Sequence, residues 1–160
     1  MNPILRLIYA LATLLTLVTY SIASSFILLF VPRILRPKKS IKGQRVLITG
    51  AGGGVGRELA IEFSKHVTTL ILVDINRPAL LQTEKLLDRC SSVYTYDCDV
   101  SDCKKVYEMA KQVQKDAGDV DILVNNAGIV RAEFLWDLNE ENVVKTMEVN
   151  ALAHFWVSSI

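Results

Sequence analysis

The sequence predicts an α/β fold: a parallel sheet with helices on both faces, preceded by one apolar helix. Three observations lead there. Residues 7–31 run for twenty-five positions without a charge. Four short, nearly all-apolar runs then begin 23 to 29 residues apart, with helix-period patterns between them. A turn rich in glycine, ITGAGGGVGRE, stands directly after the first of those runs.

The uncharged segment comes first. As a helix it reaches roughly 37 Å, enough to cross a hydrocarbon core of ~30 Å. Thr13, Thr16, Tyr20 and Ser24 fall at helical spacing, so their hydroxyls share a face or bond back to the preceding turn. Arg6 is the one basic residue before the run, whereas Arg33, Arg36, Lys38, Lys39, Lys42 and Arg45 follow it. That asymmetry puts the remainder of the chain on the cytosolic side. Two alternatives stay open: a cleaved signal segment, for which SIASS offers small residues, and a hairpin in one leaflet or on a lipid-droplet monolayer. FILLFV continues the run past any such cut, and no internal Pro or Gly turns it. The expected division is an anchor over 1–31, a basic linker over 32–43 suited to anionic headgroups, and a globular part over 44–160.

Charge is segregated accordingly. The chain of 160 residues has a formal net charge of +1, but residues 1–45 hold seven basic and no acidic residues, and residues 46–160 hold eleven basic against seventeen acidic. A mildly acidic globular part argues against nucleic acid as a partner. Cys90, Cys98 and Cys103 lack CxxC spacing, so neither a disulfide framework nor a metal site is suggested.

The strand candidates are RVLIT (45–49), TLILVD (69–74), SVYTYD (92–97) and DILVNN (121–126). Runs this apolar suit strands buried on both faces. Val55, Leu59 and Phe63 share one face of the first intervening helix, and Pro78 opens the second. Val106, Met109, Ala110, Val113 and Ala117 form a stripe on the third. Asn139 caps a fourth, with Glu140 and Glu141 in its first turn. The alternation reads as right-handed βαβ units, with strand order 3-2-1-4.

The glycines lie where the first strand turns into the first helix. There a dinucleotide diphosphate can rest on free backbone N–H groups and the helix dipole, and a Cβ would hold it away. Gly50 is expected to permit the tight turn, Gly54 to let backbone approach the ligand, and Gly56 to let helix and strand pack. Thr49, Gly50, Gly54, Val55 and Gly56 are therefore cofactor-binding candidates. Asp74 ends the second strand, where its carboxylate can accept from both ribose hydroxyls and repel a 2′-phosphate. This favours NAD over NADP, although Arg77 stands close enough to weaken the preference.

TGAGGGVG, DCDV (97–100), NNAG (125–128) and EVN (148–150) occur in an order and spacing that resembles the short-chain dehydrogenase/reductase family, with its Rossmann-type doubly wound sheet. The anchor and basic linker resemble one branch of it, the membrane-anchored 17-beta-hydroxysteroid dehydrogenases of the type 11 and type 13 kind and the related retinol dehydrogenases. The resemblance implies that Asp99 binds the adenine edge, with Val100 beside the ring. It implies that Asn125 ties neighbouring strands, that Asn126, Ala127 and Gly128 belong to the cofactor wall, and that Asn150 is the Asn of an Asn-Ser-Tyr-Lys catalytic set. The Ser and the Tyr-x-x-x-Lys are not found after Asn150. The one literal match, Tyr107 to Lys111, precedes NNAG and is expected on an outer helix face.

What this implies is an oxidoreductase that moves a hydride between NAD and a lipophilic alcohol or ketone, such as a steroid or retinoid. It would sit at the endoplasmic reticulum membrane or a lipid droplet, with a homodimer among its states. These 160 residues are expected to be the first part of such an enzyme, four strands of an incomplete sheet, inactive alone. The alternative is a membrane-tethered, non-catalytic nucleotide-binding or dimerisation module. His66 and His154 are expected at a helix end and on a helix face, and Trp136 and Trp156 in a core or an interface.

Overall fold

A computed structural model describes residues 3–30, 39–87, 92–132, 134, 136–137 and 139–160. Most of the expected basic linker, and Cys90, lie outside the described residues. The chain divides into two compact units, Met1–Ser40 and Ile41–Ile160.

Among the described residues of the first unit there is one helix, α1 (Pro3–Phe30). Its span Pro3–Ile27 is long and apolar enough to cross a membrane. Apart from Ser24, every side chain described along it is exposed. Its hydroxyls bond back along the helix: Thr13 donates to the Ala10 carbonyl at 2.9 Å, Thr16 to Thr13 at 2.8 Å and Ser24 to Ser21 at 3.0 Å. Thr19, not singled out in the sequence, does the same with Leu15 and Thr16. A polar group satisfied within its own helix can enter hydrocarbon at reduced cost.

The second unit alternates strand and helix: β1 (Arg45–Thr49), α2 (Gly54–Ser64), β2 (Thr69–Asp74), α3 (Arg77–Glu84), β3 (Ser92–Asp97), α4 (Cys103–Asp116), β4 (Ile122–Val124), α5 (Glu140–Met147), a π turn (Glu148–Leu152) and α6 (Ala153–Val157). The strands pair in parallel in the order β3-β2-β1-β4. Adjacent residues of β1 and β2 face opposite sides, as the pleat requires. Leu47, Ile71 and Val73 pack with Val106, Met109 and Val113 of α4 and Val157 of α6. Val46, Ile48, Leu70 and Leu72 pack with Ala60 of α2 and Leu80 of α3. Helices thus cover both faces, and the central pair of strands is sealed.

The helix starts follow local chemistry. Asn139 caps α5 by accepting from the Asn142 N–H at 2.7 Å. Asn76 caps α3 from Ala79 N–H at 3.1 Å, with Pro78 in the first turn. Asp102 caps α4.

One expectation needs correction and two are narrowed. Val55 is 68% exposed, because Gly56, Ala60 and Ser64 turn the buried stripe of α2 toward the sheet and the first turn projects past the strand end. β4 has three residues rather than six: Asn125 and Asn126 leave the ladder to bond elsewhere, and the Asp121 carboxylate accepts from Arg45 N–H at 2.7 Å. Trp136, expected in a core or an interface, is outside the core. It is 78% exposed and stacks on Phe134 at 5.0 Å. Trp156 does pack against the core.

Candidate functional site

The sheet brings the carboxyl ends of all four strands to one rim, and the loops leaving them form the site. β1 ends at Thr49 and enters the glycine turn. Gly50 (φ +68°) and Gly54 (φ +52°) adopt left-handed backbone that side chains disfavour. A Cβ at Gly56 would stand 2.1 Å from the Gly50 carbonyl oxygen, so this residue lets the helix close onto the turn, as expected. At Gly54 a Cβ would meet nothing within 4 Å, so backbone conformation is what this position demands. Gly53 gives α2 no side-chain cap. The first N–H groups of α2, at Gly54, Val55 and Gly56, have no acceptor within their own helix.

The turn is held from behind. Arg57 donates to the Gly52 carbonyl at 2.5 Å and to the Thr83 hydroxyl at 3.0 Å, and Thr83 donates to Ala51 O at 2.9 Å. The Asp74 carboxylate accepts from Gly52 N–H at 2.8 Å and from Asn76 N–H at 2.9 Å. A Cβ at Gly52 would lie 2.9 Å from that carboxylate. Neither Arg57 nor Thr83 was singled out in the sequence.

NNAG forms the facing wall. The buried Thr49 hydroxyl accepts from the N–H groups of both Asn126 and Ala127 at 3.0 Å. Asn126 Nδ2 donates back to Thr49 O at 2.9 Å and to Gly50 O at 3.3 Å. The strand-tying role expected of Asn125 therefore belongs to Asn126. Asn125 reaches Ser158 instead, at 3.4 Å, because the chain leaving β4 turns its side chain away from β1.

Between these walls is an open cleft of about 240 Å³. Gly50, Asp74, Asp99, Val100, Ala127 and Gly128 line it, six of the residues named from sequence. Thr49, Gly54, Val55, Gly56 and Asn126 are outside its lining: Thr49 and Asn126 hold the wall together, and the other three form the first turn of α2. Ile75, Cys98, Ile129, Arg131, Lys145 and Val149 also line the cleft and were not foreseen. Asp99 accepts from the Ser101 N–H at 3.0 Å, the Ser101 hydroxyl at 2.7 Å and Lys145 Nζ at 3.1 Å. Burial opposes its ionisation, but those hydrogen bonds outweigh it and hold the carboxyl below the usual range. Burial, with the Asp99 charge beside it, pushes the Cys98 thiol up to about 11, so at neutral pH it is a protonated, apolar part of the wall.

Asn150 sits in the π turn after α5, where an extra residue re-aims the helix face. Its Oδ1 accepts from Ile129 N–H and its Nδ2 donates to Ile129 O, both at 2.8 Å. A Cβ at Gly128 would stand 3.3 Å from that Oδ1. A second cleft of about 330 Å³ adjoins, lined by Asn150 and mainly apolar neighbours such as Ile129, Val130, Val143 and Met147. Tyr107 and Lys111 are on α4, away from both clefts, and Tyr107 is 45% exposed. His66 ends α2 beside Glu62 at 3.3 Å, and His154 is exposed on α6.

Residues 44–160 match the model of the family described as short chain dehydrogenase. Retinol dehydrogenase 10-B of Danio rerio is 39% identical over 169 residues, covering 92% of this chain and 50% of its own. Estradiol 17-beta-dehydrogenase 11 of Macaca fascicularis is 42% identical over 155 residues, covering 96% and 51%. Among solved structures, an NAD+-bound xylitol dehydrogenase superposes with a TM-score of 0.71 at 30% identity, covering 76% of this chain and 47% of its own. The chain thus spans about half the length of the curated relatives it matches.

Proposed function

Because the chain belongs to the short-chain dehydrogenase family, we propose that it is the cofactor-binding part of an oxidoreductase acting on a lipophilic alcohol or ketone with NAD. The observation that carries this reading is convergence. The glycine turn, the Asp74 carboxylate, the Asp99–Val100 corner and the NNAG wall arrive at one cleft from four separate loops.

The residues fit a nicotinamide dinucleotide. The uncapped N–H groups of α2 suit a diphosphate. Asp74, fixed by Gly52 and Asn76, suits a ribose diol, and Asp99 with Val100 suits the adenine. Ala127 and Gly128 leave room for the nicotinamide ribose. When bound, the cofactor supplies the hydride acceptor or donor. This chain's residues bind it, orient it and shield one side of it. Asn150 would hold a water that passes a proton onward from the adjoining apolar cleft, where the alcohol would lie. Asp74 disfavours a 2′-phosphate: a unit-charge pair ~4 Å apart at an effective dielectric constant of ~20 interacts by ~4 kcal/mol. NAD is therefore preferred over NADP.

The apolar helix makes the membrane the source of substrate, at the endoplasmic reticulum or a lipid droplet. The Ser and Tyr-x-x-x-Lys implied after Asn150 are not among these residues, so residues 1–160 alone bind cofactor but oxidise neither retinol nor estradiol. A second reading, a tethered nucleotide-binding or dimerisation module, is favoured by one observation: β4 pairs only with β1 among the described residues. Calorimetric titration of the detergent-solubilised chain tests the cofactor. NAD should bind at least about tenfold more tightly than NADP, and Asp74→Ala should narrow the gap. No heat with either dinucleotide would end the proposal.

A further inference from the structure

Among the described residues, Lys145 is the one cation that reaches an acid across the cleft. It projects from α5, 46 residues beyond Asp99, and its Nζ donates to the Asp99 carboxylate at 3.1 Å and to the Ser101 hydroxyl. Both Lys145 and Asp99 line the cleft, with side chains 39% and 23% exposed. A pair this exposed contributes little to stability. Its consequence is geometric: it holds the carboxylate in one orientation and joins the loop after β3 to the helix that continues into Asn150.

The acceptor count gives that orientation a use. A carboxylate offers about four lone-pair sites. On Asp99, Oδ1 takes both Ser101 donors and Oδ2 takes Lys145. Among the described residues one site on Oδ2 remains, on a carboxylate that lines the cleft together with Val100. A single fixed acceptor beside an apolar contact suits a purine carrying an exocyclic amine, and not one carrying a carbonyl at that position.

We propose that Lys145 is a positioning residue that sets the base preference of the cofactor cleft, by holding Asp99 so that its one open acceptor selects a 6-amino purine over a 6-oxo purine. The proposal rests on the cofactor reading above and deepens it. Lys145 does not itself touch the base. Without it, Oδ2 is free to turn toward solvent and the cleft loses its discrimination.

The test is titration of the full chain in detergent with ADP and with IDP, in which a carbonyl replaces that amine and N1 carries a proton. The ratio of the two affinities within one protein is independent of how much of the sample is folded. The native chain should prefer ADP by about tenfold, the worth of one hydrogen bond to a charged acceptor. Lys145→Met should reduce the preference to near one, and Lys145→Arg should retain most of it. In an Asp99→Asn background, Lys145→Met should change the ratio no further, since the residue acts through the carboxylate. A native chain that binds ADP and IDP alike, or neither, overturns the adenine assignment at Asp99 and this proposal with it. A native chain that discriminates, with Lys145→Met discriminating equally, overturns the role of Lys145 alone. A ratio that rises in Lys145→Met overturns it as well, by placing the ammonium on the base itself.

Discussion

Gly56 decides whether the turn can close. Its missing Cβ leaves the 2.1 Å that a side chain would have to share with the Gly50 carbonyl, and that neighbour is backbone, which cannot step aside. Gly56→Val should cost about 3 kcal/mol or more, the upper range for forced overpacking, as read from the urea midpoint of the unfolding transition. Gly54 has space but the wrong φ for a side chain, so its demand is different in kind. The glycines were legible in the sequence, and the distinct task of each was only partly so. Lys145 was not legible at all. A lysine on an amphipathic helix reads as solvated, and its acid lies on another loop. Thr49 and Asn126 are cofactor-binding candidates by motif, and no motif shows that their side chains also bond to backbone across the turn.

Elements were easier to read than contacts. The four apolar runs, their order and the Asn139 cap follow from composition and spacing, since a strand sealed on both faces has few alternatives. β4 came out shorter because side-chain amides compete with the ladder for backbone partners, and no periodicity records that competition. Past the three paired residues of β4, the tie to β1 is consequently a side-chain one. Asn126→Ala, which removes the donor to Thr49 O and Gly50 O, should destabilise the sheet by about 1–3 kcal/mol. Asn126→Asp should cost more, because a carboxylate would face two carbonyl oxygens. Denaturant unfolding gives both values, and an aspartate variant as stable as the native chain would contradict the geometry. Because β3 and β4 are the outer strands, the β4 edge has no partner among the described residues. An open apolar edge is a place for further pairing.

At the scale of the whole molecule, two parts with opposite solvent preferences share one chain. The first carries basic residues beside an apolar helix, and the second is net acidic and buries the apolar residues of its central strands between its own helices. Attachment to membrane should accordingly be hydrophobic, with charge secondary. The chain should remain with lipid vesicles through a wash in salt of about 1 M, at which screening reduces electrostatic reach to about 3 Å. Release under that wash, measured by flotation, would mean that the basic residues alone hold it.

The cleft is assembled from pieces that no short stretch of chain contains: the end of β1, the end of β2, the corner after β3, the wall after β4, and a helix beyond. A peptide cut from any one of them retains none of the pocket, and a sheet that loses either outer strand loses the pocket too. Occupancy is therefore a census of intact molecules. Whatever settles there draws the population toward the fully assembled form, and slows proteolysis and amide exchange at strands it never contacts.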